Sequence, residues 1–111
     1  MHDEDGFAVS VSRDGERAVV AVTGELDAAT APALSDTIDA MAGDGLAGVV
    51  VDFDQVQFVD SKGLSALLAS HRHLRNADMS LTVVNLQPGV AKVFRISGVD
   101  ALLLEPDLDL D

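Results

Sequence analysis

Gly48-Val49-Val50-Val51-Asp52-Phe53 and, a few residues on, Phe58-Val59-Asp60-Ser61-Lys62-Gly63-Leu64 mark the point where the hydrophobic pattern changes period. The first run is nearly continuous in apolar residues, as expected of a central parallel strand covered on both faces. From Leu64 onward Leu64, Leu67, Leu68, His71 and Leu74 fall on one helical stripe that ends near Arg75-Asn76. A strand that feeds directly into a helix predicts a parallel crossover unit, and Asp60-Ser61 stands at the helix start. There the first backbone N–H groups lack partners and carry partial positive charge, so phosphate can be added or held. Asp or Ser at such a position is also an ordinary helix cap, stabilising by about 1 kcal/mol.

Working outward, Phe7, Val9 and Val11 alternate with smaller or polar residues, and Arg17 to Thr23 is rich in Val. Arg13-Asp14-Gly15-Glu16 between them predicts a hairpin. Gly24-Glu25-Leu26-Asp27 reads as a loop, after which Thr30 and Pro32 start a helix carrying Leu34, Ile38 and Met41 and closed by Gly43 to Gly45. Ser80 to Leu86 is the next strand. Pro88 opens a third helix with Val90, Val93 and Phe94, Gly98 stops it, and Ala101 to Leu104 reads as a short last strand. The order β-β-α-β-α-β-α-β implies an α/β domain: a mixed sheet whose N-terminal antiparallel hairpin is followed by parallel strands with crossover helices. All 111 residues form one domain, with residues 1–6 and 105–111 expected to fray; Glu105 to Asp111 alternates acid and Leu, open to an edge strand or a helical turn as well.

Composition narrows the function. Hydrophobic residues make up 48% and aromatics 4%, so the core is aliphatic and base-stacking platforms are not expected. There is no Cys, which removes disulfides and thiolate zinc sites and fits a cytoplasmic location. Met-His-Asp-Glu-Asp-Gly is acidic where a secretory signal would be basic, and no apolar run approaches the length of a membrane span. A net charge of −12 argues against binding nucleic acid or anionic lipid. The charge is segregated: Lys62, Arg72, Arg75, Lys92 and Arg95 face a single acid, Asp78, between 62 and 95, while two Arg meet eighteen acids elsewhere. That less acidic segment complements helix C-termini or docks a partner by charge.

Several patterns invite chemistry. Gly43-Asp44-Gly45-Leu46-Ala47-Gly48 matches the dinucleotide pattern G-x-G-x-x-G, but it follows a helix and leads into a strand, the reverse of what pyrophosphate binding needs. His71 and His73 are two apart on a helix and so diverge, with His71 core-facing and His73 exposed; no metal site is expected. Asp52 and Asp54 at a strand end invite comparison with a receiver phosphoacceptor, yet the chain starts with a hairpin, and solvated strand-end residues account for them. Ser61 has no His nearby in sequence and no nucleophile elbow, so hydrolysis is not expected.

Gly24-Glu25-Leu26-Asp27, Val49-Val50-Val51-Asp52-Phe53, Phe58-Val59-Asp60-Ser61-Lys62-Gly63-Leu64, Pro88 at a helix start and Phe94-Arg95-Ile96-Ser97-Gly98-Val99 at its end together resemble the STAS family of anti-sigma factor antagonists. The resemblance covers nearly the whole chain. It implies a non-enzymatic binding module without cofactor or metal, phosphorylated at Ser61 by a partner kinase that is itself the anti-sigma factor and has a histidine-kinase-like ATPase fold. Unphosphorylated, such a protein binds the anti-sigma factor and frees the sigma factor for transcription; a phosphatase of the PP2C type resets it. The contact residues carried over are Gly24, Glu25, Asp27, Asp60, Ser61, Lys62, Gly63 and Leu64, with Pro88 and Val90 at the periphery, in a monomer or weak dimer. Lys62 stands where the family usually has Ser or Thr, and its ammonium could pair with a phosphate on Ser61. Two other readings follow: a STAS-type scaffold that binds its partner without phosphoregulation, and a small receiver-like phosphoryl-transfer or nucleotide-binding protein using Asp52, Asp54 or Asp60.

Overall fold

The structure, a computed structural model, describes residues 2–4 and 6–104. Its centre is the pair of Val-rich strands expected from the sequence. β3 (Arg17–Leu26) and β4 (Gly48–Val59) run parallel, and β5 (Ser80–Val84) lies parallel on the far side of β4. β2 (Phe7–Asp14) is antiparallel to β3 through the Asp14-Gly15 turn, where Gly15 adopts φ 66°, and β1 (His2–Glu4) is antiparallel to β2. The sheet order β1-β2-β3-β4-β5 follows the chain. His2–Glu4, placed in a fraying end by the sequence, thus pairs as an edge strand. Residues 105–111 lie outside the described residues.

Parallel neighbours cannot be joined by tight turns, so α1 (Ala31–Asp39) and α2 (Ser61–Arg75) cross between β3, β4 and β5 and pack on one another. Their apolar stripes, Leu34 and Ile38 from α1 and Leu64, Leu67 and Leu74 from α2, are buried with Val20, Val22, Val49, Val51, Phe53, Leu81 and Val83 of the strands. The alternate strand residues Val19, Ala21, Val50, Asp52, Thr82 and Val84 are half-buried, so β4 is fully sealed on one parity only and not on both. Gly48 fits beside Ser80 because any Cβ there would collide with the Ser80 side chain, and Gly43 and Gly45 are positive-φ turn glycines. The G-x-G-x-x-G match is thereby accounted for by turns and packing.

β4 is longer than its apolar run suggests because it is bulged twice. Ala21↔Asp52 is followed by Thr23↔Gln55, and Gly24↔Val56 by Glu25↔Phe58, so β4 inserts an extra residue against β3 at each step. The inserted residues turn Phe53, Val56 and Val59 inward at intervals of three. α3 (Pro88–Ile96) buries Val90 and Phe94, the latter edge-on to Phe53 at 6.1 Å and 85°. The last strand expected over Ala101–Leu104 is a helical turn, α4 (Asp100–Leu103). The N–H groups of Leu102 and Leu103 bond the Val99 carbonyl, and Leu104 alone bridges Val83 in parallel. Ala and Leu without a β-branched residue favour the helix.

Candidate functional site

The strand-to-helix transition at Asp60 is built from both sides. Asp60 is extended (φ −112°, ψ −175°), and its Oδ1 accepts the Gly63 N–H at 2.9 Å while its carbonyl accepts the Leu64 N–H at 3.0 Å. Its own N–H donates to the Leu26 carbonyl at 3.2 Å, which ties α2 to the end of β3. The carboxylate is therefore the helix cap. Ser61 and Lys62 follow immediately, both exposed, and no other acid occupies the first turn. A hydroxyl at this position meets a helix end with partial positive charge and free access from solvent.

Gly63 explains how close α2 approaches the sheet. A Cβ there would lie 2.8 Å from the Leu26 carbonyl oxygen and 2.9 Å from Leu26 Cγ. Leu64 is buried beside it. Gly63 and Leu64, expected among the contact residues, thus set the height of the surface from below. Val90 is a correction of the same kind: at 2% exposure it is a core residue and offers nothing to a partner. Pro88, at the start of α3, is exposed.

Gly24-Glu25-Leu26-Asp27 is not the loop expected, because its first three residues are the end of β3. Gly24 holds φ 109°, and a Cβ would come 2.9 Å from the Gly6 carbonyl oxygen, so glycine lets the β1–β2 turn pack on the strand. Glu25 is exposed and Leu26 fully buried. Asp27 Oδ1 accepts the Ala29 and Thr30 N–H groups at 3.0 and 3.1 Å, and the Asp27 N–H donates to Thr30 Oγ1, which donates to the Glu25 carbonyl at 2.8 Å. Asp27 therefore fixes the entrance of α1. Between these residues and Gln55 and Gln57 of the bulged β4 lies a polar hollow of about 410 Å³.

Leu26↔Val59 and Glu25↔Phe58 are in register, so Gly24, Glu25 and Asp27 share one rim of the sheet with Asp60, Ser61 and Lys62. Asp52 and Asp54 belong to local structure. Asp52 Oδ1 accepts the Asp54 N–H and the Asn85 side-chain amide, and Asp54 Oδ2 accepts the Gln55 amide. Among the described residues no group of three or more potential metal ligands is assembled. One rim residue was missed in the sequence: Phe58, 46% exposed beside Glu25, an apolar side chain of the kind that anchors a docked protein. The two bulges each shift β4 by one residue and together restore its parity, so Phe58 faces outward as plain alternation from Val49, Val51 and Phe53 already places it.

The site is thus an exposed serine at a capped helix start of an α/β domain, beside the polar Glu25 and Lys62 and the exposed Phe58. The chain belongs to the STAS domain family: residues 9–105 match the model described as Mlab, STAS domain. An anti-sigma factor antagonist from Mycobacterium paratuberculosis is 32% identical in sequence, with a TM-score of 0.81 over 98% of this chain and 93% of that one. The anti-sigma-B factor antagonist of Staphylococcus aureus is 30% identical over 84 residues, 76% of this chain and 78% of the relative. The Bacillus cell fate determinant SpoIIAA in its phosphorylated form shares the fold, with a TM-score of 0.67 at 22% identity over 92% and 95% of the two chains. No helix among the described residues is long and apolar enough to cross a membrane.

Proposed function

We propose that this chain is an anti-sigma factor antagonist acting by partner exchange in the cytoplasm. The rim formed by Glu25, Phe58, Ser61 and Lys62 binds an anti-sigma factor of histidine-kinase-like ATPase fold, which releases its sigma factor, and the exposed Pro88 at the start of α3 is a further contact. Phosphorylation of Ser61 by that kinase ends the complex, and a phosphatase of the PP2C type restores it. The observation that carries the reading is Ser61 itself: exposed, at the first position of α2, directly after a carboxylate already committed to capping.

The physics supports a change in binding rather than in fold. A phosphate brings roughly −1.5 to −2 charges at pH 7 to a residue whose side chain packs against nothing in the core. The helix N–H groups stabilise that charge locally, whereas a partner surface matched to the neutral hydroxyl has to desolvate it. The test is incubation with the histidine-kinase-like ATPase encoded nearest the gene, with ATP, and mapping of phosphate by mass spectrometry. The reading expects modification at Ser61 alone. It further expects Ser61→Glu to lower affinity for the kinase at least tenfold, about 1.4 kcal/mol, with an unchanged melting temperature. Equal binding by wild type and variant refutes the charge mechanism. Lys62, exposed beside Ser61, favours one second reading, a docking module insensitive to phosphate; tight binding to the kinase without any modification supports it.

A further inference from the structure

At the opposite end of α2 from Ser61, two hollows of about 610 and 420 Å³ meet at His71, Arg75 and Leu102. The larger is walled by the start of β5 and by α4, the smaller by Leu68 and Arg72 of α2. Three properties occur together in this groove. Leu102 is 53% exposed in its wall, an apolar side chain in open contact with solvent. Both ring nitrogens of His71 are buried and lack a hydrogen-bond partner among the described residues. Arg72 and Arg75 outnumber Asp78, the one acid of the lining, and give it net positive charge in a chain of net charge −12.

The groove also coincides with the edge of the parallel half of the sheet that is open among the described residues. β5 pairs with β4 on one side; on the other, Leu104 bridges Val83 and no further strand partner occurs among the described residues. Unpaired edges invite association with other chains unless they are covered or charged. Leu104 is itself a wall of the larger hollow, so the chain enters residues 105–111 from inside the groove. Glu105-Pro106-Asp107-Leu108-Asp109-Leu110-Asp111 carries four acids and two leucines, the complement of a groove with two guanidinium groups and an exposed leucine. Seven residues reach at most about 25 Å when extended, enough to run along the outer flank of α2.

We propose that residues 105–111 dock into the groove between α2, α4 and the outer edge of β5, the acids meeting Arg72 and Arg75 and the leucines meeting Leu68 and Leu102. Docked there, the segment covers the edge of β5 and fastens the far end of α2, away from the Ser61 rim. The docking is independent of the partner-exchange reading.

The absence of cysteine makes the test direct, since Asp111→Cys carries a nitroxide at a single place. In amide spectra of the labelled full chain, paramagnetic broadening is expected at Leu68, His71, Arg72, Arg75 and Leu102, with the β2–β3 hairpin spared. Reversing the two exposed arginines, Arg72→Glu with Arg75→Glu, weakens the broadening roughly fivefold, as the loss of two surface charge pairs implies, without altering the remaining amide shifts. Broadening no stronger on α2 than on β2 overturns the proposal. So does broadening of an isotope-labelled chain mixed with a nitroxide-labelled one, because that places the segment on a second copy.

Discussion

Ser61 and Gly63 are two residues apart and do opposite work. Ser61 is exposed and replaceable as far as the fold is concerned, whereas Gly63 has no room for a methyl group between α2 and Leu26. Gly63→Ala is therefore expected to cost about 1–3 kcal/mol, the usual range for overpacking, seen as a lowered denaturation midpoint with an unchanged denaturant slope. A midpoint equal to that of wild type would show that the first turn of α2 can lift off β3. The sequence disclosed the cap and the serine because capping is local, set within Asp60 to Gly63. Leu64 was legible as core from its place on the α2 stripe, yet the motif counted it and Val90 among the contacts, since a residue-type pattern does not distinguish a motif position that touches a partner from one that supports it. Phe58 is the converse case, apolar by residue type yet exposed on β4 between the buried Val56 and Val59.

The elements show the same division between local and distant causes. The β2–β3 hairpin and both crossover helices were legible from Asp14-Gly15, Pro32 and the stripe from Leu64 to Leu74, all of them short-range signals. The full length of β4 was not, because its inward residues follow a register imposed by β3, and the strand expected over Ala101–Leu104 is a helical turn because a four-residue apolar run fits strand or helix equally. α2 carries a consequence for pH. Burial, and then the nearby Arg75 and Arg72, hold His71 below its usual value of 6.5. The neutral ring is the form the fold prefers, so the unfolded chain takes up the proton first. The contribution of His71 is complete above about pH 6.5 and is lost as pH falls toward the lower folded value. The melting temperature is expected to drop between pH 7.5 and 5.5 by more in wild type than in His71→Gln; equal drops would refute the assignment to His71.

Across the whole molecule, charge acts at a range the individual contacts do not reach. With −12 net charge inside a radius of gyration of 13.0 Å, like charges are separated by distances near the Debye length of about 10 Å at 0.1 M salt and well inside the roughly 30 Å at 0.01 M. Self-repulsion of the compact state is therefore strong in dilute buffer and mostly screened at physiological ionic strength. Opposing it, salt also screens favourable terms such as the Asp60 carboxylate at its helix end, but those are few and short-range, where screening is weakest. The repulsive sum is the larger, so the melting temperature is expected to rise when sodium chloride goes from about 0.01 to 0.15 M. A fall over that range would mean that attractive pairs dominate the folded state. The same long-range field bears on partner exchange. In the proposed exchange with an acidic partner surface, a phosphate on Ser61 or the charge of Ser61→Glu adds repulsion, so the loss of kinase affinity is expected to be larger at low salt than at high. Salt-independent loss would assign the effect to contact geometry at the rim alone, and would leave the acidic composition of the chain with no part in the exchange.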